Sequence, residues 1–378
     1  MAVNKNLFSI LISLSFLVLV TSLVNVFLIS HDEEVSYVRR DQDQNMRIAY
    51  FHGGRVFVPY RAYVFGEFEK AGLSVDFYTT TAKEGSKELL PVPKNVVEVQ
   101  NIRDRDPLFG RFTGREILEN IMAGTLDGGA IGESSFIEAA EKELPIVAVV
   151  KLGHDTQETK GKALIIRKGS DITEPEDFIG KTIISRDAGP GDSTFLREFF
   201  DSIGINPDEV NIVDYVHPNY MMEGLVKEEV DGGYYHHMTV QKVVEAGLAE
   251  IYQPFDWVNP ELSHALLVFR RDYYDTHKEE IKKFIKVYID RIIYEEENPA
   301  EEYYKQDGVE ERGLLAHLKF AGMDIPRFSY PPLIEIGLLN EMQDLLQKHG
   351  QVEYSSVDLT PYIDQSLLLE LIEERNSN

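Results

Sequence analysis

Two segments constrain this chain more than any others. Asp127-Gly128-Gly129-Ala130-Ile131-Gly132-Glu133-Ser134-Ser135-Phe136 reads as a short buried strand, a turn of small residues and a helix start. About a hundred residues later, Val230-Asp231-Gly232-Gly233-Tyr234-Tyr235-His236-His237-Met238-Thr239 repeats the pattern. A strand running into a helix presents free backbone N–H groups, and open α/β sheets hold polar ligands at such places. Two such junctions predict two similar α/β lobes facing one another. Ser135 and Glu138 have S-x-x-E spacing, which predicts a capping box and a helix beginning at that point.

The remaining chain fits around these junctions. Arg47–Phe51 reads as a first strand, His52–Arg55 as a tight loop, and Pro59 as the first residue of a helix that Gly72 closes. With a second strand at Val75–Tyr78 this makes a right-handed βαβ opening. Prolines at 91, 93 and 107 mark a long excursion over 82–114 around one short strand, Val96–Val99. Ile117–Met122 reads as a helix and Pro145–Val150 as a buried strand. A second run of βα units has strands at Ala163–Arg167, Thr182–Ser185 and Val210–Tyr215 and helices at Phe195–Ile203 and Tyr220–Lys227. Ala188–Thr194 reads as a loop. Leu262–Phe269 is an apolar strand, Lys278–Glu297 a long helix, and the tail is mostly helical with proline breaks.

Composition enters mainly through what it excludes. The 378 residues carry a formal charge of −26, the wrong sign for a nucleic-acid or anionic-membrane surface. There is no cysteine, so thiol catalysis, disulfides and a lipid-modified Cys anchor are ruled out. Leu7–Ser30 is charge-free and apolar, with Lys5 before it and Asp32, Glu33 and Glu34 after. That bias suits an exported chain, through either a signal peptide or an N-terminal membrane anchor. Residues 31–45 then read as a tether, with the globular part outside the cytoplasmic membrane.

Asp127–Phe136, Leu144–Ala148, Glu176–Ile183 and Gly189–Asp192, in that order and spacing, resemble the extracytoplasmic solute-binding proteins of the nitrate, sulfonate and taurine type. That group includes binders of thiamine-pyrimidine precursors. Arg47–Phe77 and Ser263–Arg271 also fit, so the resemblance covers roughly residues 47–290. It implies a two-lobed periplasmic-binding-protein fold of type II, each lobe a mixed sheet flanked by helices, with a ligand cleft between. Lobe 1 would comprise 46–158 and 259–378, including extra C-terminal helices, and lobe 2 would comprise 159–258. Hinge closure on a small polar solute (sulfonate, nitrate-like anion, amine or pyrimidine) would deliver it to an ABC permease. The expected protein is a monomer without cofactor or metal, and not an enzyme; a membrane-tethered sensor is the alternative, an enzyme on the same fold a more remote one.

Four junctions line the expected cleft at the C-terminal ends of strands. His52 and Arg55 follow the first strand. Glu133, Ser134 and Ser135 follow the first D-G-G, and the Glu133 carboxylate disfavours a simple anion. Asp192, Ser193 and Thr194 follow a Gly-Pro-Gly segment that lacks the G-K-[ST] ending of a nucleotide loop. Tyr234, Tyr235, His236 and His237 follow the second D-G-G, where strand alternation sends only one Tyr and one His to the cleft; Tyr235, His236 and His237 are the candidates. Trp257 can stack on a planar ligand or pack at the hinge. Neither G-x-S-x-G nor H-E-x-x-H occurs, and no catalytic residues are expected.

Overall fold

A computed structural model describes residues 45–51, 56–80, 88–95, 98–99, 102, 105, 110, 112–156, 161–186, 190–215, 218–252, 259–298, 327–353 and 356–377. The leader, His52–Arg55 and Trp257 lie outside them. The first sheet is built from β1 (Met46–Ala49), β2 (Val75–Thr80), β3 (Leu89–Pro91), β4 (Gly128–Gly132), β5 (Ile146–His154) and a late strand, His264–Arg270, in the order β3-β2-β1-β4-late-β5. The second contains β6 (Lys162–Arg167), β7 (Thr182–Arg186), β8 (Asn211–Tyr215), β9 (Gly232–His236) and β10 (Ala249–Ile251), ordered β10-β6-β9-β7-β8. The late strand is β11.

The two D-G-G segments occupy equivalent places. β4 runs parallel to β1 and antiparallel to β11; β9 runs parallel to β7 and antiparallel to β6. Each Asp precedes its strand and ties both neighbours. Asp127 accepts from the Arg47 N–H through its carboxylate, at 2.7 Å, and its own N–H donates to the Arg47 carbonyl. Asp231 does the same with Thr182, its carboxylate accepting at 2.9 Å. On the other side the Asp127 carbonyl accepts from Arg270 N–H and the Asp231 carbonyl from Arg167 N–H. The glycines follow from close packing. A Cβ on Gly128 would lie 2.6 Å from the Val268 carbonyl oxygen, and one on Gly232 2.3 Å from that of Ile165.

Helices flank both sheets. In chain order they are α1 (Phe57–Val64), α2 (Glu67–Lys70), α3 (Gly114–Met122), α4 (Glu133–Glu141), α5 (Pro190–Ser202), α6 (Pro218–Val226), α7 (His237–Glu245), α8 (Arg271–Thr276), α9 (Lys278–Glu297), α10 (Ile336–Lys348) and α11 (Ser366–Asn376). Four sequence expectations need correction. Glu98 and Val99 are helical, and the extra strand is β3 instead. α1 starts before Pro59, which sits inside its first turn. α4 begins at Glu133 with Gly132 as N-cap and no side-chain cap, because the chain turns from strand to helix without an intervening loop. A capping box forms instead between Thr113 and Glu116, at the start of α3. α5 begins at Pro190, so the expected loop at 190–194 is the helix's opening; proline suits that position because its missing N–H would be unsatisfied there.

The tail does more than extend the first sheet's side. Arg327 and His154 exchange backbone hydrogen bonds, and Ile363 bridges to Ala148, both on β5. From that attachment α10 packs on α4 and also on α5, across from one sheet's helices to the other's. Leu339, Met342 and Leu346 are fully buried in a core that includes Phe136 and Ile137 of α4 and Phe195 and Phe199 of α5. Lys348 reaches Glu198 and Asp201 of α5 at 2.7 and 2.6 Å, and His349 also meets Glu198.

Two stability effects are expected. Asp127 is 1 % exposed and hydrogen-bonds a strand start, so Asp127→Ala is expected to cost about 2–3 kcal/mol in urea denaturation. Asp231, with its side chain 23 % exposed, should cost about 1 kcal/mol as Asp231→Ala. His154 lies at the end of β5, in register with His264. Burial, then Lys151 and His264 nearby, pull its pKa from 6.5 to about 4, while Glu335 opposes them weakly. Neutral His154 is the folded form, so its contribution is full above pH 6.5 and is lost as pH falls towards 4. Between about pH 7.5 and 4 the wild type should lose about 3 kcal/mol more than His154→Gln, as measured by denaturation at each pH.

Candidate functional site

β4 passes directly into α4, α5 follows β7 in the chain, and the two helix N-termini meet. α4 brings Glu133, Ser134 and Ser135 in its first turn, all buried. α5 brings Gly191 and Asp192 in its first turn, followed by Ser193 and Thr194, again all buried. The point of contact is Gly191. A Cβ there would stand 2.9 Å from Ser134 Oγ and 3.3 Å from Glu133 Oε1. Glycine at 191 therefore permits a backbone-close approach between helices belonging to different sheets.

Ser134 and Ser135 part company here. Ser134 faces Gly191 of α5. Ser135 turns back into its own side, where a Cβ on Gly114 would fall 2.4 Å from its Oγ. Ser193 Oγ donates to Gln351 Oε1 at 2.7 Å, so the segment after α10 closes over the opening of α5. Thr194 is fully buried.

Asp192 forms an ion pair with Lys162, the first residue of β6; the Lys side chain is 3 % exposed and the Asp 6 %. The Lys162 ammonium lies 5.1 Å from the Phe195 ring centroid and 5.7 Å from that of Tyr234. Lys162 is also in register with His236 at the end of β9. Three junctions of the second sheet thus converge on one buried cation. Ser185 on β7, in register with Tyr234, is fully buried with an Oγ that finds no hydrogen-bond partner among the described residues.

Strand alternation decides between the tyrosines. Tyr235 belongs to the core formed by Ala163, Ile165, Met221, Leu225 and Val240, away from α5. Tyr234 lies on the side of Lys162 and Phe195. His236 is half-buried and serves as N-cap residue of α7, which His237 opens; the His237 side chain, like His52 and Arg55, lies outside the described residues. Lys162 was absent from the sequence expectations, and Tyr234 stood there as the alternative to Tyr235. The signal was available for Lys162: it opens an otherwise apolar strand, on the face shared with Leu164 and Ile166. Among the described residues no cluster of three or more acidic or histidine side chains could hold a metal ion.

The sequence profile of the family described as NMT1/THI5 like matches residues 113–302, half of the chain. The chain belongs to the NMT1/THI5-like family. No curated protein matches its sequence. Solved structures similar to this family member share its fold at low identity. The periplasmic aliphatic sulphonate-binding protein SsuA of Escherichia coli is 14 % identical with TM-score 0.58, over 87 % of this chain and 100 % of its own. A Candida albicans protein described as having the generic periplasmic binding protein fold is 14 % identical with TM-score 0.56, over 87 % and 95 %. The desulfurization enzyme DszB is 10 % identical with TM-score 0.53, over 88 % and 100 %. The fold of this NMT1/THI5-like chain is accordingly that of periplasmic binding proteins, with two mixed sheets flanked by helices.

The approach at Gly191 makes a direct prediction. Gly191→Val places a branched side chain between α4 and α5 and should hold them apart. Small-angle scattering should then give a larger radius of gyration than the wild type, and binding of any cleft ligand should weaken at least about tenfold, equivalent to ~1.4 kcal/mol.

Proposed function

We propose that this chain is the solute-binding component of an ABC importer, working outside the cytoplasmic membrane and closing two lobes on a small polar solute. Lobe 1 would comprise 46–158 and 259–378, lobe 2 would comprise 159–258, and the closed pair would engage a permease as a monomer. The observation that carries this reading is the meeting of two helix N-termini from separate sheets at Ser134 and Gly191. Paired N-termini with hydroxyls between two rigid bodies suit capture of a polar molecule by hinge closure. Structural neighbours that are sulfonate-binding proteins, one of them described as part of a sulfonate ABC transporter, support it. The apolar, charge-free stretch Leu7–Ser30 supports export; it lies outside the described residues, among which no helix is long and apolar enough to cross a membrane.

The leader's length also favours a second reading, a tethered sensor in which closure signals to a membrane partner. The enzyme neighbour shows that this fold also hosts catalysis. Binding without turnover is the reading preferred here, with Ser134, Asp192, Ser193, Tyr234 and His236 as the residues nearest the solute.

Native mass spectrometry of the protein as purified, before dialysis, should show a protein-bound small molecule at one-to-one stoichiometry. After its release, adding it back should raise the melting temperature and leave its own mass unchanged. A changed mass would identify an enzyme, and the absence of any bound or stabilising small molecule would count against the importer reading.

A further inference from the structure

We propose that the C-terminal segment 327–353 is an interlobe strap, which holds α5 against α4 and so biases the chain towards its closed form with or without solute. The inference rests on the two-lobe, hinge-closing reading above. α10 is the rod of this strap, 13 residues long and so about 20 Å of helix. Its N-terminal end is fastened to the first sheet. Arg327 and His154 exchange backbone hydrogen bonds, and the Lys151 N–H donates to the Pro332 carbonyl at 2.9 Å. Glu335, the residue before the helix, takes the Lys151 ammonium at 2.7 Å. Gln365 holds Ile334 twice, accepting from its N–H at 2.6 Å and donating to its carbonyl at 3.2 Å.

The other end reaches α5, which follows a strand of the second sheet. Glu198 of α5 is buried, and Lys348 and His349 both meet its carboxylate. Lys348 also reaches Asp201, one turn further along, at 2.6 Å. Beyond them Gln351 Oε1 accepts from Ser193 Oγ at 2.7 Å, near the start of α5. Between the two fastenings the rod buries Leu339, Met342 and Leu346 in the core that holds Phe195 and Phe199 of α5 and Phe136 and Ile137 of α4. A helix anchored at its two ends to different sheets does not stretch. Separation of α5 from α4 therefore breaks one fastening or uncovers the apolar face between them. These contacts exist only with α5 against α4, so they favour that arrangement independently of any solute. Solute then adds to a closure that the tail has already begun.

The test is a distance measurement between the lobes by double electron–electron resonance, on full-length protein stripped of solute by dialysis in mild denaturant. The chain has no cysteine, so Lys242→Cys on α7 and Lys283→Cys on α9, both exposed, are the sole sites that take spin labels. In this labelled background Lys348→Glu sets a further carboxylate against Glu198 and Asp201. It should raise the longer-distance population about threefold or more, the scale of an exposed ion pair. Lys348→Glu/Asp201→Lys restores a contact of opposite charges and should return that population to the level of the labelled parent. Lys286→Glu on α9 makes the same charge change away from the strap and should leave it unchanged. The Lys348 side chain is 46 % exposed, so its replacement leaves the core in place. Circular dichroism verifies folding, and Lys348→Ala replaces the Glu variant if that one does not fold. An unaltered distribution in the folded Lys348 variant, an equal change in Lys286→Glu, or no reversal by Asp201→Lys would overturn the inference. Every arm is run without solute, so a purified protein that carries no small molecule counts against the importer reading and leaves these distances to decide the strap.

Discussion

The aspartate that precedes each Gly-Gly pair holds this architecture together. Asp127 and Asp231 each use a carboxylate and a backbone N–H to start a parallel neighbour, and a carbonyl to end an antiparallel one. One residue thereby sets the register on both sides of a central strand. The glycines that follow let the flanking strands approach where any Cβ would collide. With β4 and β9 fixed in this way, α4 and α7 must leave the sheets at defined points, and α4 then meets α5 from the other lobe. The site is a consequence of strand register set by two acidic side chains, Asp127 seven residues before Ser134 and Asp231 five before His236.

The C-terminal tail adds a second constraint on lobe geometry. It is fastened to the edge of the first sheet through β5, yet its helix α10 shares a core with α5 and ends in ion pairs to Glu198 and Asp201. Opening the cleft by moving α5 away from α4 would also have to part α5 from α10. The exposed Lys348–Asp201 pair contributes little, but burial of Leu339, Met342 and Leu346 contributes on the order of 1.5–3 kcal/mol per side chain. Any movement of α5 away from α4 is therefore coupled to packing of the tail.

Much of the fold was legible in the sequence because its strands are short apolar runs bounded by glycine, proline and acidic residues. The span of α9 was read as Lys278–Glu297, as observed. The echo of two D-G-G segments was visible, though its reason, a shared hydrogen-bond role for two aspartates, required pairing information. Errors arose where local chemistry has two readings. S-x-x-E at Ser135 resembles a cap, but Gly132 already supplies the turn, and Glu138 pairs with Lys142 instead. Gly-Pro-Gly resembles a loop, but proline also opens helices. At the site, Glu133, Ser134 and Asp192 were identifiable from position after a strand, whereas Lys162, although it stands before an apolar run, shows its partners only when β6, α5 and β9 are brought together.

The central claim is that one solute is held jointly by the openings of α4 and α5. Amide hydrogen exchange, compared between the protein as purified and the same protein stripped of its solute, tests this most directly. The account predicts that stripping raises exchange at Ser134–Ser135 and at Asp192–Thr194 together, and that restoring the solute protects both. Protection confined to one of these openings, or a change in neither, would contradict it.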